Sequence, residues 1–461
     1  MKSKYLTQRN FEILLYMVSF GLLFAWGFVQ PFGDPPDEIC RYLVPYYMYQ
    51  HGSLPNGNNI EVIVGVYGIS YAFFPALPYM FQAVFMKLVS FFTENPFALL
   101  MAARTVNMIA GVISVYFARE ISKKVFHRPL FAWLFTLLFA FWPQAFFLRT
   151  YVNCDSFAIM SIAIMMYGLI IGLDSNWSKK SYITLAIGVS ICGLSYYNAY
   201  GMILASVFIF VCSFITMEHT IEHKKLHFDY KRCLRIGGII AALVVILIGW
   251  WFLRNAILYD GDLLGFASNK KLSEIYAIDA YKASSRVTIQ NSGKPISYLF
   301  TDGNYINILT LSSIGIFGFM HILSPVFVFR GFKFILLMGL IGLVISKKKM
   351  LIRNPKTIGL HIGFLMAILI PFVLCIYYSY SSDYQPQGRY LLPGLLPLLY
   401  FIVLGIQGGL ERFVKNIWIQ RVIVGGAIIF IIVAFLVDFE IIYRMYYNRL
   451  SETMSFTFDG G

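Results

Sequence analysis

The stretch IGGIIAALVVILIGWWF, from Ile236 to Phe252, contains no charged residue. As a helix it rises about 25 Å, which is close to the thickness of a membrane's hydrocarbon core. Three other runs are similarly apolar: Phe11 to Val29, Ile358 to Tyr378 and Val422 to Val437. They do not alternate polar and apolar residues as barrel strands do, and only helices or closed barrels can span lipid. The sequence therefore predicts an all-α, polytopic bundle of transmembrane helices.

The composition of the whole chain excludes a soluble globular protein. Of its 461 residues, 58% are hydrophobic and 13% are charged, whereas a soluble domain carries about 25% charged residues. The net charge of +14 would suggest nucleic-acid binding in a soluble protein. Here the basic residues cluster in short loops between apolar runs, and no nucleic-acid motif accompanies them. The predicted surroundings are therefore a lipid bilayer, with no nucleic acid as a partner.

Five clusters of basic residues orient the predicted helices, because Lys and Arg concentrate in cytoplasmic loops. The clusters are Lys123, Lys124, His127 and Arg128; Lys179 and Lys180; Lys224, Lys225, Lys231, Arg232 and Arg235; Lys347, Lys348, Lys349, Arg353 and Lys356; and Arg412, Lys415 and Arg421. Placing all five in the cytoplasm predicts about eleven spans, which are 11–30, 98–120, 129–148, 156–173, 181–198, 200–217, 236–253, 325–346, 358–378, 389–407 and 422–442. The first is expected to be a retained helix, since no small-residue cleavage site follows it.

This topology treats 1–461 as a single domain and leaves three larger segments on the outer side of the membrane. These segments are 31–97, 254–324 and 379–388, and together they are expected to form the face that carries the functional site. Two apolar stretches, Tyr67 to Phe92 and Leu309 to Leu323, do not fit the alternation, because full spans there would move basic clusters outside. They are predicted to be interfacial or re-entrant segments at the outer surface.

The first outer loop begins GDPPDE, in which Asp34, Asp37 and Glu38 are acidic. Asp34 is a good N-cap and Pro suits the first helical position, so a helix is predicted over 35–51. Asp37 and Glu38 then have two possible roles. They either cap the positive end of a surface helix or supply the carboxylate that a general base needs, and both interpretations stay open on these residues alone.

The second outer loop, Arg149 to Asp155, ends in another acid at the start of a predicted helix. Asp155 either caps that helix or joins Asp37 in a site. Arg254 and Arg389 stand at the outer ends of two predicted spans and offer forked donors suited to phosphate, although interfacial arginines also snorkel. Acids in two outer loops, with arginines at two membrane boundaries, favour a site for a lipid-borne anionic donor.

The cysteines and the remaining acidic motif give weaker signals. Cys40 and Cys154 are the two cysteines in the proposed outer loops, and they either form a disulfide between these loops or stay unpaired. The Asp260-Gly261-Asp262 motif is interpreted as a solvated turn, because no soluble α/β domain surrounds it. No metal-ligand cluster is evident, so neither a metal nor another cofactor is predicted, although a divalent ion remains possible.

Several short motifs resemble a known group of membrane enzymes. Pro35-Pro36-Asp37-Glu38 resembles the start of the first outer loop in the GT-C glycosyltransferases, whose donors are polyprenyl-phosphate sugars. More closely, the chain resembles the bacterial membrane family DUF2142 within that group. The matching stretches keep the family order over most of the chain and are Pro36-Asp37-Glu38, Val152-Asn153-Cys154-Asp155, Leu253-Arg254-Asn255, Ser313-Ile314-Gly315-Ile316-Phe317-Gly318-Phe319 and Gln387-Gly388-Arg389-Tyr390.

The resemblance implies a GT-C fold with juxtamembrane helices on the outer surface, and a role for each motif. Asp37 would deprotonate the acceptor, Glu38 would support it and Asp155 would shape the site. Arg254 and Arg389 would hold the donor phosphate. The other expected substrate-binding residues are Arg149, Asn153, Gln387 and Tyr390. Family members often carry a histidine shortly after the acidic pair, where this chain has Cys40-Arg41-Tyr42, so a metal-binding role of that histidine does not carry over.

The expected function is transfer of a sugar from a polyprenyl-phosphate donor to a cell-surface glycan, such as a teichoic acid or wall polysaccharide. It would take place at the extracytoplasmic face of the bacterial cell membrane. A flippase for a polyprenyl-linked sugar and a polysaccharide polymerase are the alternatives. A transporter places ionisable groups near the midplane of the bilayer. Here the charges gather at the outer ends of the predicted spans, which favours the enzyme.

Overall fold

The computed structural model describes residues 2–219, 224–346, 354–455 and 458, and helices dominate it. Within residues 2–219 the α-helices are α1 (Lys2–Val29), α2 (Glu38–His51), α3 (Leu77–Ser90), α4 (Pro96–Val125), α5 (Pro129–Ala140), α6 (Pro143–Leu148), α7 (Asp155–Ser175), α8 (Lys179–Gly193) and α9 (Tyr200–Cys212). In the rest of the described chain they are α10 (Tyr230–Leu258), α11 (Phe266–Tyr276), α12 (Tyr298–Thr301), α13 (Tyr305–Gly315), α14 (Val326–Ile345), α15 (Pro355–Ser381), α16 (Leu395–Phe413), α17 (Ile417–Tyr447) and α18 (Leu450–Met454).

Short antiparallel hairpins and 3-10 helices join these helices. The strands are β1 (Ile63–Val64) with β2 (Ile69–Ser70), β3 (Ile215–His219) with β4 (Lys224–Phe228), and β5 (Ile316–Phe317) with β6 (Ile322–Leu323). The 3-10 helices are Ile60–Val62, Tyr71–Phe73, Tyr197–Ala199, Asp279–Tyr281 and Gly388–Gly394. The all-α prediction is confirmed, and the hairpins were not anticipated.

Eight helices in the described part of the chain are long and apolar enough to cross a membrane. They are α1 from Thr7, α4, α7, α10, α14, α15, the continuous run Gly388–Phe413 and α17. Each corresponds to one of the eleven predicted spans, so the multi-pass architecture is confirmed. The remaining three predicted spans fall on shorter helices, and the count of eleven stays a prediction.

Those three segments differ from their predicted bounds for local reasons. The predicted span 129–148 breaks into α5 and α6, because Pro143 has no N–H to donate and holds Trp142 in an extended conformation. The predicted span 200–217 ends at Cys212, and Ile215 instead starts β3. The predicted span 181–198 ends at Gly193. Two of the basic clusters lie partly outside the described residues. The structure does not describe Lys347, Lys348, Lys349 and Arg353, nor the side chains of Lys224 and Lys225.

The two apolar stretches that did not fit the alternation contain only short helices. The stretch 67–92 holds α3, whose 14 residues rise about 21 Å. The stretch 309–323 holds the end of α13 and the hairpin of β5 and β6. The helices in both stretches are too short to cross a hydrocarbon core, which agrees with interfacial segments. Each packs on protein, α3 against α2 and α4, and α13 against the 3-10 turn Gly388–Gly394.

Close packing of small residues holds the long helices together. A Cβ added to Gly405 of α16 would lie 2.0 Å from the carbonyl oxygen of Gly339 in α14, so the two backbones are in direct contact. The fully buried Trp26 of α1 contacts the rings of Phe146 and Phe317. These contacts join α1 to α6 and to β5.

Candidate active site

Helix α2 begins at Glu38, three residues later than predicted, and Asp34 does not cap it. Asp34 instead accepts a hydrogen bond from Tyr446 of α17 and lies 3.6 Å from His321. Asp37 occupies the N-cap position with φ 63°, in the left-handed region, and its side chain makes no capping hydrogen bond. The capping interpretation of Asp37 is therefore wrong. The left-handed backbone, which Asp tolerates better than most residues, leaves its carboxylate free to point elsewhere.

That carboxylate pairs with Arg389, 352 residues later in the chain. Nη2 of Arg389 donates to Oδ2 of Asp37 at 2.7 Å, with side chains 6% and 29% exposed respectively. Gly388 lets the 3-10 turn that carries Arg389 pack directly on α13, because a Cβ there would lie 2.0 Å from the backbone nitrogen of Ser313. Burial alone would raise the pKa of Asp37, but the charges of Arg389 and Arg41 outweigh it and hold that pKa below its ordinary value.

Arg41 is the second cation of the site, and sequence reasoning missed it. It lies four residues after Asp37, on the same side of the first turn of α2. Its guanidinium is buried between the rings of Tyr71 and Tyr196, at 4.6 and 5.3 Å from their centroids, and its Nη1 donates to the hydroxyl of Tyr79 at 3.3 Å. A lone Arg in a short amphipathic helix carries no sequence signal that separates this role from snorkelling.

Asp155 is the second acid, and it is the first residue of α7. The N-cap is Cys154, so the interpretation of Asp155 as the cap is wrong. Asp155 is 3% exposed and lies within electrostatic range of Asp37, Arg41 and Arg389. The helix dipole favours an acid in this first turn. Two carboxyl groups and two guanidinium groups thus meet near the ends of α2 and α7 and the 3-10 turn.

Glu38 lies beside the site but is fully committed to protein partners. Its carboxylate forms a paired contact with Nε and Nη2 of Arg104 at 2.8 and 2.6 Å, and both side chains are 0% exposed. It also accepts from the backbone N–H of Val152 at 3.0 Å. Arg104 in turn donates to the carbonyls of Gly27 and Gln30 at the end of α1. The geometry makes Glu38 a positioning residue that joins α1, α2, α4 and the loop before α7.

Solved structures of other proteins have a similar arrangement of helices. Over 91% of the chain, the fold superposes on ArnT from Cupriavidus metallidurans bound to undecaprenyl phosphate, with a TM-score of 0.53 and 12% identity. Over 93% of the chain it superposes on the Archaeoglobus fulgidus oligosaccharyltransferase in complex with Zn and sulfate, with a TM-score of 0.53 and 13% identity. The protein has a GT-C fold. At these identities the likeness shows the fold alone.

The comparisons also set limits on what the fold implies. No protein-family model matches the chain, so the closer resemblance to DUF2142 is not shown, and no curated protein matches it either. The chain spans 63% of the length of ArnT and 52% of the length of the oligosaccharyltransferase. A second structure of that oligosaccharyltransferase, tethered to an acceptor peptide, gives a TM-score of 0.53 at 11% identity, over 95% of this chain and 55% of its own.

Two other predicted residues lie next to Arg389 in the candidate site. The ring of Tyr390 packs on the guanidinium of Arg389 at 5.1 Å, and its hydroxyl accepts from Nη2 at 3.2 Å. Gln387 precedes the 3-10 turn, and its buried Oε1 has no partner among the described residues. A narrow cleft in front of Arg389 is lined by Gln387, Pro36, Tyr151, Gly318 and Met320, among others.

The structure does not bring the other three predicted binding residues to this cluster. Arg254 donates to the carbonyl of Pro55, beyond the C-terminal end of α2, whereas Asp37 lies at its N-terminal end. Arg149 is buried against the carbonyls of Ala140 and Phe139, where it joins α5 to α6 across their break. Asn153 also has only protein partners, because its side chain donates to the carbonyls of Leu148 and Tyr151.

Several buried polar atoms in and around the group formed by Asp37, Asp155, Arg41 and Arg389 have no hydrogen-bond partner among the described residues. They are Nε of Arg41, Nε and Nη1 of Arg389, Oδ2 of Asp155 and the hydroxyl of Tyr151. An unpaired buried donor or acceptor costs about 1–3 kcal/mol, and such a cost persists where function requires it. The unpaired donors belong to two cations and the unpaired acceptor to an acid, so the site is suited to a ligand with an anionic group and a hydroxyl.

Cys40 and Cys154 are both free thiols, so the second of the two alternatives for this pair, two unpaired cysteines, holds. Cys154 faces Arg41 and Tyr79, whereas Cys40 is a neighbour of Asp37. Burial, and then the charge of Asp37, raises the pKa of Cys40 to about 11.

In the described part of the chain, no three His, Cys, Asp or Glu side chains converge as metal ligands. Asp262 accepts backbone N–H groups at the start of α11, so the Asp260-Gly261-Asp262 motif is a turn, as predicted.

Proposed function

We propose that the protein transfers a sugar from a polyprenyl-phosphate donor to a glycan, with Asp37 as the general base. The observation that carries the proposal is the Asp37–Arg389 ion pair, which lies beside Arg41 and Asp155 at the ends of membrane-spanning helices. A donor whose lipid tail lies in the bilayer has its phosphate at this level. Its reactive carbon is one bond beyond the phosphate oxygen, next to Asp37.

Arg389 and Arg41 bind the donor phosphate in this proposal. Arg389 has two nitrogens without a partner and Arg41 has one, and both side chains are more than nine-tenths buried. Charge-assisted hydrogen bonds from arginine to phosphate are among the strongest that side chains form. Arg41 takes the place that sequence reasoning gave to Arg254, because Arg254 is engaged at the other end of α2.

Donor binding then prepares the base. While Asp37 holds Arg389, its pKa is low and its carboxylate is a weak base. A phosphate at Arg389 competes for the same guanidinium, so the pKa of Asp37 rises towards the value that burial favours. Asp37 then accepts the proton of the acceptor hydroxyl as that oxygen bonds to the anomeric carbon. The bond from that carbon to the phosphate oxygen breaks, and the polyprenyl phosphate leaves with the electron pair, stabilised by the two arginines.

The acceptor is a cell-surface glycan, such as a teichoic acid or wall polysaccharide, and the reaction takes place on the extracytoplasmic side of a bacterial membrane. The positive-inside distribution of the basic clusters supports this orientation. The two arginines supply positive charge at the leaving group, so the proposal includes no metal or other cofactor. A polymerase would instead consume a preassembled lipid-linked repeat unit.

The deciding experiment is transfer by purified Asp37→Asn protein. Asn keeps the size of the side chain but cannot accept the proton, so we expect turnover to fall about 10²-fold or more while the protein still folds. Radiolabelled single-sugar polyprenyl phosphates are the donors, and Asp302→Asn is the matched control because Asp302 is an exposed acid outside the site. Normal turnover in Asp37→Asn would exclude Asp37 as the base. Transfer only from a lipid-linked repeat unit would favour the polymerase.

A further inference from the structure

Three tyrosines from different segments lie near the opening of the site. Tyr281 and Tyr378 are 37% and 45% exposed, and Tyr67 is half-buried. The rings of Tyr67 and Tyr281 meet edge to face, with centroids 4.9 Å apart. Tyr67 and Tyr378 both lie within electrostatic range of Asp37. Aromatic surface is therefore available near the candidate base.

The fold holds these tyrosines in place. The backbone N–H of Ile278 donates to the carbonyl of Val66, and the hydroxyl of Ser273 donates to the carbonyl of Tyr67 at 3.0 Å. Gly68 is required at this contact, because a Cβ there would lie 2.2 Å from the backbone nitrogen of Ala277 and its φ is +59°. The segments of Tyr67 and Tyr281 are thus joined by backbone contacts, which hold the two rings in a fixed arrangement.

A partly exposed charged pair lies beside the rings. The guanidinium of Arg286 is 5.6 Å from the ring centroid of Tyr281, and its Nη1 is 3.9 Å from Oδ2 of Asp383. Asp383 accepts from Gln385, which bonds to Tyr390, and Tyr390 contacts Arg389. A continuous set of polar contacts therefore leads from the exposed rim to the Asp37–Arg389 pair.

We propose that this rim, formed by Tyr67, Tyr281, Tyr378, Arg286 and Asp383, is the acceptor subsite and that it binds a sugar ring. The inference rests on the proposed function. The C–H face of a sugar stacks on an aromatic ring, and its hydroxyls need donors and acceptors together, which Arg286 and Asp383 supply. The pair is electrically neutral, so it suits a polyhydroxyl ligand. A sugar held there presents a hydroxyl to Asp37.

Direct binding tests the subsite without requiring turnover. The protein is placed in nanodiscs, since sugar-headed detergents would compete, and saturation-transfer NMR is recorded with maltotriose and with the tripeptide Ala-Asn-Ser. We expect signal transfer to maltotriose, its loss in the Tyr67→Ala/Tyr281→Ala protein, and its retention when both residues are Phe. Phe300→Ala is the control, because Phe300 is an exposed aromatic in the same outer segment. Unchanged maltotriose signals in the double Ala protein, or displacement by the tripeptide, would overturn the proposal.

Kinetics separate the subsite from the proposed function. In the transfer assay, we expect Tyr67→Ala to raise the acceptor KM about fivefold, with the donor KM unchanged, because the acceptor sugar loses the aromatic face on which it stacks. Tyr67→Phe should restore the acceptor KM. If the protein transfers sugar and its acceptor KM does not change when Tyr67 and Tyr281 are substituted, the subsite is wrong, whereas the transferase function is still supported. Maltotriose binding that needs both rings, in a protein that transfers no sugar, overturns the transferase alone.

Discussion

At the residue scale, the candidate site depends on the partner that each charged side chain finds. Asp37 and Glu38 are adjacent in sequence, yet one is paired with Arg389 at the opening of the site and the other with Arg104 in a fully buried contact. The sequence indicated Asp37 and Arg389 through their places beside membrane spans. It did not indicate Arg41 or Arg104, because an arginine in a helix has no pattern that reveals its partner.

Arg389 should affect both donor affinity and the pH profile. We expect Arg389→Ala to weaken donor binding by about 1.5–3 kcal/mol, which is roughly tenfold or more. With Asp37 as the proposed base, its ionised form is the active one, and we expect activity to fall as pH drops through its pKa. Since Arg389 lowers that pKa, its removal should move the acid limb of kcat/KM to higher pH. Titrating kcat/KM for the wild type and for Arg389→Ala measures this, with Arg254→Ala as the control. An acid limb at the wild-type pH would mean that another group titrates.

Glu38 should matter for stability more than for chemistry. Glu38→Gln leaves the buried Arg104 without its counter-charge, and breaking a buried pair costs about 3–5 kcal/mol. Thermal unfolding in detergent, followed by tryptophan fluorescence, measures the effect. Glu440→Gln is the matched control, because the Glu440–Arg444 pair is exposed and contributes little. Equal melting temperatures for the two variants would contradict the structural role given to Glu38.

At the scale of the elements, the long apolar helices were predictable and the short connecting ones were not. Uniform apolar runs such as α10 have a single possible structure in lipid, so length and hydropathy suffice. The break between α5 and α6 and the hairpin after α9 lie within or just after apolar runs, where tertiary packing decides between a long helix and a shorter one. The start of α2 was misplaced because the two prolines fit both a first helical turn and the preceding turn.

The 3-10 turn Gly388–Gly394 offers a test of how one element positions the site. A methyl group at position 388 would meet the backbone of Ser313, which cannot yield as a flexible side chain can. We therefore expect Gly388→Ala to shift the turn, lower the melting temperature and weaken donor binding through Arg389. Gly425→Ala is the control, since open space surrounds that position in α17 and Ala favours helix. Normal donor affinity in Gly388→Ala would separate the turn from the site.

At the scale of the whole molecule, the distribution of basic residues predicts the orientation of the chain in the membrane. The topology predicts that position 271 faces the outer side of the membrane and position 348 the cytoplasm. Position 348 is not among the residues that the structure describes. Lys271 and Lys415 are both exposed and lie in segments predicted to face opposite sides. On a cysteine-free background, we expect an impermeant maleimide to label Lys271→Cys in intact cells and to spare Lys415→Cys. Equal labelling would require a different topology.

The buried contact between Glu38 and Arg104 has a consequence for how the chain enters the membrane. Arg104 lies in the first third of α4 with no exposed surface, and its hydrogen bonds go to the end of α1 and the start of α2. An isolated α4 would carry that charge into the membrane without its partners, which is unfavourable for an arginine within a span. We therefore expect the newly made α1 and α2 to stay beside α4 as it inserts, so that membrane insertion and assembly of this end of the bundle are coupled.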